Sequence, residues 1–395
     1  MPNSFALTKC GQIVTCSGEE IISGGVIHVA GGKIVAVSDG QQVPPDVETI
    51  DVGGRVITPG LIDAHTHAVF AGSRANEFEM RTKGASYQEI TAAGGGIKAT
   101  MRAVREATED ELFTQSKKHV GWMLANGTTT AEIKSGYGLT LEDELKMLRV
   151  IKRLGEETPL DTQATFLGAH AVPPEAASKE EYMDLVCNEM VPAVNEQGIA
   201  VAVDMFVEEG YFTAEDAQRL AGTLALPGMR LRLHVDQFTT GGAEVAAKFG
   251  AHTADHLEQT SDAGIAALKE EGTIPVLLPG SVYALGLKKY PDARRMIDEG
   301  LPVVLATDFN PGSSPTPSLP MVMSLACTQM GMTPFEALIA CTKNAASVLC
   351  YNDRGEVKEG MNADLVVWDT DDYREIPYFF GVDHVHSVYK NGTAV

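Results

Sequence analysis

No uninterrupted apolar run in the chain approaches the roughly 20 residues that a membrane helix requires. Segments such as Ile274 to Pro279 and Leu301 to Ala306 are far shorter, so no bilayer span and no membrane partner is expected. A basic region followed by an apolar stretch and a small-residue cleavage site is also missing from the N-terminus, which points to a cytoplasmic protein. Cysteines are few, and the six present (Cys10, Cys16, Cys187, Cys327, Cys341, Cys350) form no CxxC pair. That excludes a disulfide framework or a thiolate metal knuckle and leaves idle thiols. Positive charge is scarce as well: 31 Lys and Arg face 53 Asp and Glu, for a net charge of -22. Such a field repels phosphate backbones and anionic lipids, so nucleic acid is not an expected partner. It also disfavours an anionic small molecule, which would need a dedicated Arg or Lys to receive it.

What is present is an ordinary globular composition, 44% apolar and 21% charged over 395 residues, enough for a sizeable core. Residues 12 to 58 consist of short alternating apolar stretches broken by glycines, which are hairpin signals. A similar texture returns in Ala363 to Asp369 and His386 to Gly392. Both termini are therefore expected to share one small β-sandwich module. Between them, short apolar strands alternate with longer helical stretches, the pattern of a parallel α/β sheet. Eight strands can be counted: Leu61 to His67, Thr128 to Lys134, Thr162 to His170, Ala200 to Glu208, Leu231 to Gln237, Thr253 to Glu258, Ile274 to Pro279 and Pro302 to Asp308. Eight is the number of a (βα)8 TIM-type barrel. The expected organisation is 1–58 for the N-terminal part of the module, 59–350 for the barrel and 351–395 for the return to the module.

A barrel of this kind carries its active site at the C-terminal ends of its strands, and here those ends are polar. The first ends in Asp63-Ala-His65-Thr-His67, the third in His170, the fifth in His234, the sixth in His256 and the eighth in Asp308. Residues two apart on a strand point the same way, so His65 and His67 can reach one metal. His234 and Asp308 complete a shell of nitrogen and oxygen donors suited to Zn(II) or Fe(II). His256 would be a fifth ligand and is better read as a proton carrier or substrate contact. His28, His119, His252, His384 and His386 have no such partners and are read as structural. Gly94 to Gly96 lack the Lys-Ser/Thr ending of a phosphate cradle and are read as a loop over the site.

The segment Pro59 to His67, taken with His234, His256 and Asp308, resembles the amidohydrolase superfamily. Within it, Phe70 to Phe78, Gly94 to Ile97, Lys134 to Leu139, Thr165 to Pro174 and Ala306 to Pro315 are similar to the imidazolonepropionase family. The resemblance runs from about residue 55 to 390. It implies one divalent ion per subunit, Zn or Fe, held by His65, His67, His234 and Asp308. It further implies Arg74, Tyr137, His170, Gln237 and Ser313 as contacts to 4-imidazolone-5-propanoate, Asn310 and Gly312 as contacts to product, and Tyr87 as an additional contact. A homodimer is implied too. Where some relatives carry Glu three residues after the strand-five histidine, this chain has Gln237, which cannot take a proton.

Those residue types suit ring hydrolysis in histidine degradation. Asp308 can accept a proton from water, His170 or His256 can stabilise a developing oxyanion, and Arg74 offers a carboxylate the fork it needs. Arg74 could instead bridge only to Glu77 or Glu79. A nucleobase-type deaminase on the same scaffold is the nearest alternative, and Gln237 counts against it. A dihydroorotase-like binuclear site would need a lysine ending the fourth strand, where the chain has Phe206-Val-Glu-Glu209. A non-catalytic scaffold relative would not be expected to keep all four ligands.

Overall fold

In a computed structural model, residues 4–18, 20–40, 42–85, 89, 94–224 and 228–395 are described. Eight parallel strands form one sheet in strict chain order: Leu61–Thr66, Thr128–Lys134, Asp161–Ala169, Ala200–Val207, Arg230–Val235, Thr253–His256, Ile274–Leu277 and Val304–Leu305. The sheet closes where the first strand meets the eighth, through a parallel bridge between Thr66 and Phe309 and the bonds Asp308 N–H to His65 O and His67 N–H to Phe309 O, both 3.0 Å. All eight expected strands are present. The eighth is the shortest, because Pro302 has no N–H to give to a ladder and the chain turns off toward the first strand after Leu305.

Two further sheets stand beside the barrel. One has four strands, all from residues 4–51; the other has six and draws on both termini. At the centre of the six-stranded sheet Val56–Pro59 pairs antiparallel with Leu365–Trp368. The unbroken apolar run Leu-Val-Val-Trp follows from burial on both faces. Leu365 and Val367 pack into the module core with Ile57, Phe5 and Ile34, while Val366 and Trp368 turn to the barrel core. Trp368 donates its indole N–H to Thr58 Oγ1 at 2.8 Å. Val56–Pro59 runs through Gly60 directly into the first barrel strand, so the double-sided packing fixes where the His65/His67 segment begins. Among the described residues no helix is long and apolar enough to cross a membrane.

Candidate active site

The strands that carry the polar ends are bent where they need to be. In the first strand the register against the second shifts between Asp63 and Thr66, and in the third it shifts between Phe166 and Ala169. Such bulges re-aim the side chains that follow, here His65 and His67 in one case and His170 in the other. Asp308, the residue after Thr307, sits at a left-handed φ of 53°, a conformation that costs on the order of 1–3 kcal/mol outside glycine. Asp63 holds that turn: its buried carboxylate accepts Thr307 N–H at 3.0 Å and Thr307 Oγ–H at 2.6 Å. Burial pushes the Asp63 carboxyl up to about 7, against the pull of those two bonds.

His65, His67 and His234 bring ligand nitrogens within 4.8 Å of one another, all buried. Nε2 of His67 lies 3.5 Å from Nε2 of His234 and 3.3 Å from Asp308 Oδ1, which is also 3.6 Å from His65 Nε2. A tetrahedral ion with bonds of about 2.0–2.1 Å sets its ligands roughly 3.3–3.4 Å apart. The spacing, the mixed nitrogen and oxygen donors and the buried His65 Nε2, without a hydrogen-bond partner among the described residues, all fit a divalent ion. Burial alone would raise the Asp308 carboxyl, but His67, His256 and His234 outweigh it and hold it below its ordinary value.

Above this cluster opens a cavity of about 200 Å³, lined among others by Arg74, Tyr137, His170, Gln237, His256, Asn310, Gly312 and Ser313. Beside His67, the His170 ring stacks with its centroid 5.2 Å away and the Tyr137 ring is tilted with its centroid 5.9 Å away. His170 donates Nδ1–H to Gly136 O at 2.9 Å, and burial lowers its pKa to about 3. It is therefore neutral, with Nε2 an acceptor. His256 differs. Burial would lower it, but Glu258, 3.3 Å away, and Asp308 leave it above the ordinary histidine value. Asn310 folds its own loop by accepting Gly312 N–H and Ser313 N–H, and Ser313 Oγ lies 3.4 Å from Asp308 Oδ2. Arg74 lines the cavity and also bridges to Glu77, at 2.8 and 2.9 Å. Glu77 takes Gly96 N–H at 2.9 Å, and Gly96 and Ile97 border the cavity. Tyr87 lies outside the described residues.

The model of the Amidohydrolase family covers residues 56–395. The chain is 49% identical to an imidazolonepropionase of Solibacter usitatus (strain Ellin6076), over 99% of this chain and 98% of that one. It is 48% identical to an imidazolonepropionase of Geobacillus kaustophilus (strain HTA426), over 95% and 91%. The chain belongs to the imidazolonepropionase family of amidohydrolases. The fold is similar to that of a variant triazine hydrolase, with a TM-score of 0.80 at 17% identity over 100% of this chain and 94% of that one. It is also similar to a mutant atrazine chlorohydrolase from Arthrobacter aurescens TC1 crystallised with zinc and atraton, with a TM-score of 0.73 at 17% identity over 99% and 94%.

Beneath the histidines, this imidazolonepropionase-family barrel holds a layer of charge that the strand-end reading missed. Asp204 accepts His234 Nδ1–H at 3.0 Å and pairs with Lys134 at 2.9 Å. Asp255 accepts His65 Nδ1–H at 2.6 Å and Arg232 at 3.0 Å. Glu132 supplies Lys134 with a second carboxylate at 2.9 Å. Each aspartate fixes a histidine tautomer with Nε2 free toward the cluster. The signal was legible as charges inside otherwise apolar strands, at Glu132, Lys134, Asp204 and Arg232. Arg81, which lines the cavity and donates to Gly312 O at 3.2 Å, was also missed. Asp204→Asn is expected to weaken metal affinity about 10- to 100-fold, measured by competition with a chelating dye. Unchanged affinity would show that His234 needs no carboxylate behind it.

Proposed function

We propose that the cavity is the site at which the chain hydrolyses 4-imidazolone-5-propanoate to N-formimidoyl-L-glutamate, a carbon–nitrogen bond cleavage of histidine degradation. The observation that carries this reading is the cavity itself: a buried His/Asp cluster at its floor and guanidinium groups at its wall, in a protein of net charge -22. We assign His65, His67, His234 and Asp308 as ligands of one Zn or Fe ion per subunit. When bound, such an ion lowers the pKa of coordinated water from 15.7 toward about 7 and polarises a carbonyl.

The chain's own residues supply the rest. Asp308, held ionised, takes a proton from water as the water oxygen bonds to the ring carbonyl carbon. The carbon–nitrogen bond then breaks, and the departing ring nitrogen takes that proton back. Of the two histidines left open for the oxyanion, His256 is the better donor, since against the effect of burial Glu258 and Asp308 raise it above the ordinary histidine value. His170, neutral with its proton on Nδ1, accepts a hydrogen bond from the substrate at Nε2 instead. Gln237 cannot relay a proton, which favours ring hydrolysis over deamination. Arg74 receives the propionate through parallel N–H bonds. A homodimer is part of this reading on the family resemblance, and a cytoplasmic location is proposed beside it.

The test is loss of the imidazolone absorbance on adding purified protein to freshly made substrate. No turnover by metal-loaded protein would overturn the reading. Arg74→Ala is expected to raise KM and lower kcat/KM by roughly 30- to 150-fold, or about 2–3 kcal/mol for a charged hydrogen-bonded contact. Unsubstituted imidazolone lacks the tail, so wild type and variant should handle it equally poorly. If the variant slowed both substrates equally, Arg74 would serve the fold through Glu77 rather than the carboxylate.

A further inference from the structure

Tyr137 sits in a loop, residues 135–140, that joins the second barrel strand to the helix Leu141–Glu157. One carboxylate outside the cavity holds that loop. Glu144, in the first turn of that helix, is fully buried. It accepts Gly136 N–H at 2.9 Å and Gly138 and Leu139 N–H at 2.8 Å each, with Ser135 as a further side-chain partner. Among the described residues no lysine or arginine forms an ion pair with it; its partners are loop dipoles, the arrangement of an anion nest. The loop's carbonyls point elsewhere. Gly136 O takes His170 Nδ1–H at 2.9 Å and Gly138 O takes Arg105 Nε–H at 2.7 Å.

The conformation so held is not one the loop would adopt unaided. Leu139 has a φ of 56°, disfavoured for any residue with a Cβ. Gly136, at φ 101°, has no room for a side chain, since a Cβ there would lie 2.9 Å from Leu167 O and 3.1 Å from His170 Nδ1. Tyr137 is thereby fixed with its ring 5.5 Å from that of His170. We propose that Glu144 is a positioning residue for the reaction: by gathering the loop's N–H groups it sets the Tyr137 phenol and, through the Gly136 carbonyl, the tautomer and aim of His170. This rests on the proposed ring hydrolysis, in which both groups face the substrate.

The experiment begins with metal content and imidazolone propionate turnover of the wild-type protein, whose failure would fall on the proposed hydrolysis alone. Glu144→Gln and Glu144→Asp are then compared in the wild-type background and in the Tyr137→Phe/His170→Ala background. In the wild-type background each is expected to lower kcat/KM on the order of 10- to 100-fold, as small misplacements of substrate contacts do, with metal stoichiometry unchanged. In the doubly substituted background the same changes should cost under about threefold, because the groups that Glu144 positions are gone. Equal losses in both backgrounds, wild-type activity, or loss of metal and thermal stability in both variants would each overturn the proposal.

Discussion

Asp308→Asn is expected to leave a folded barrel that turns over substrate on the order of 10²- to 10⁴-fold more slowly, the range for loss of a positioned acid or base. The substitution is a clean one on physical grounds. Asparagine matches aspartate in shape and is among the few residues that tolerate a left-handed backbone, which this position needs at φ 53°. Its peptide keeps the Asp308 N–H to His65 O bond and the Asn310 Nδ2–H to Asp308 O bond of 2.6 Å. What disappears is the carboxylate, whose ionisation the surrounding histidines favour over the opposing effect of burial. An amide oxygen can still lie at the cluster but cannot take a proton from water. Steady-state kinetics beside a melting curve is the check. Activity above a tenth of wild type in a well-folded variant would remove Asp308 from the proton path.

Stripping the metal with a chelator is expected to abolish hydrolysis, and Zn(II) or Fe(II) to restore it. No nucleophilic Ser or Cys triad is visible in the sequence to carry the reaction by a covalent route. Burial pushes the thiols of Cys10 and Cys16 up to about 12, far from the nucleophilic range. The melting temperature should fall on stripping and recover on reloading, since an ion that binds only the folded chain stabilises it by mass action. Full activity in protein verified free of metal would rule out metal-assisted hydrolysis.

Much of this site was readable in advance because of how a parallel barrel is built. Strands buried on both faces write themselves as short apolar runs, and a polar residue ending such a run stands out, as His170, His234 and Asp308 do. The charged layer below was harder to read. Lys134, Asp204, Arg232 and Asp255 come from strands two, four, five and six, and which cation meets which carboxylate depends on the stagger of the closed sheet. Alternation shows only that each points inward or outward. Glu77 and Glu144 were hidden differently. Each sits at the start of a helix, where acidic residues are common as partners of the helix dipole, and only the fold reveals that these two hold loops instead. Arg81 was obscured in a similar way, being one turn on from Glu77 on an otherwise polar helix.

The strand that delivers His65 and His67 has its preceding segment sewn to a much later part of the sequence: Thr58 and Trp368, joined by a hydrogen bond, are 310 residues apart. During synthesis Val56–Pro59 can pair on one side with Gln12–Val14, but its other edge has no partner until Leu365–Trp368 has left the ribosome. Helices and neighbouring strands of the barrel can assemble as they emerge, but Val56–Pro59 must wait with its apolar edge open. Contacts so distant in sequence slow folding and prolong exposure of sticky surface. A stretch translated far later therefore completes the support of the strand that carries His65 and His67, and a nascent chain arrested short of Leu365 would carry all four proposed metal ligands without the strand pairing that anchors two of them.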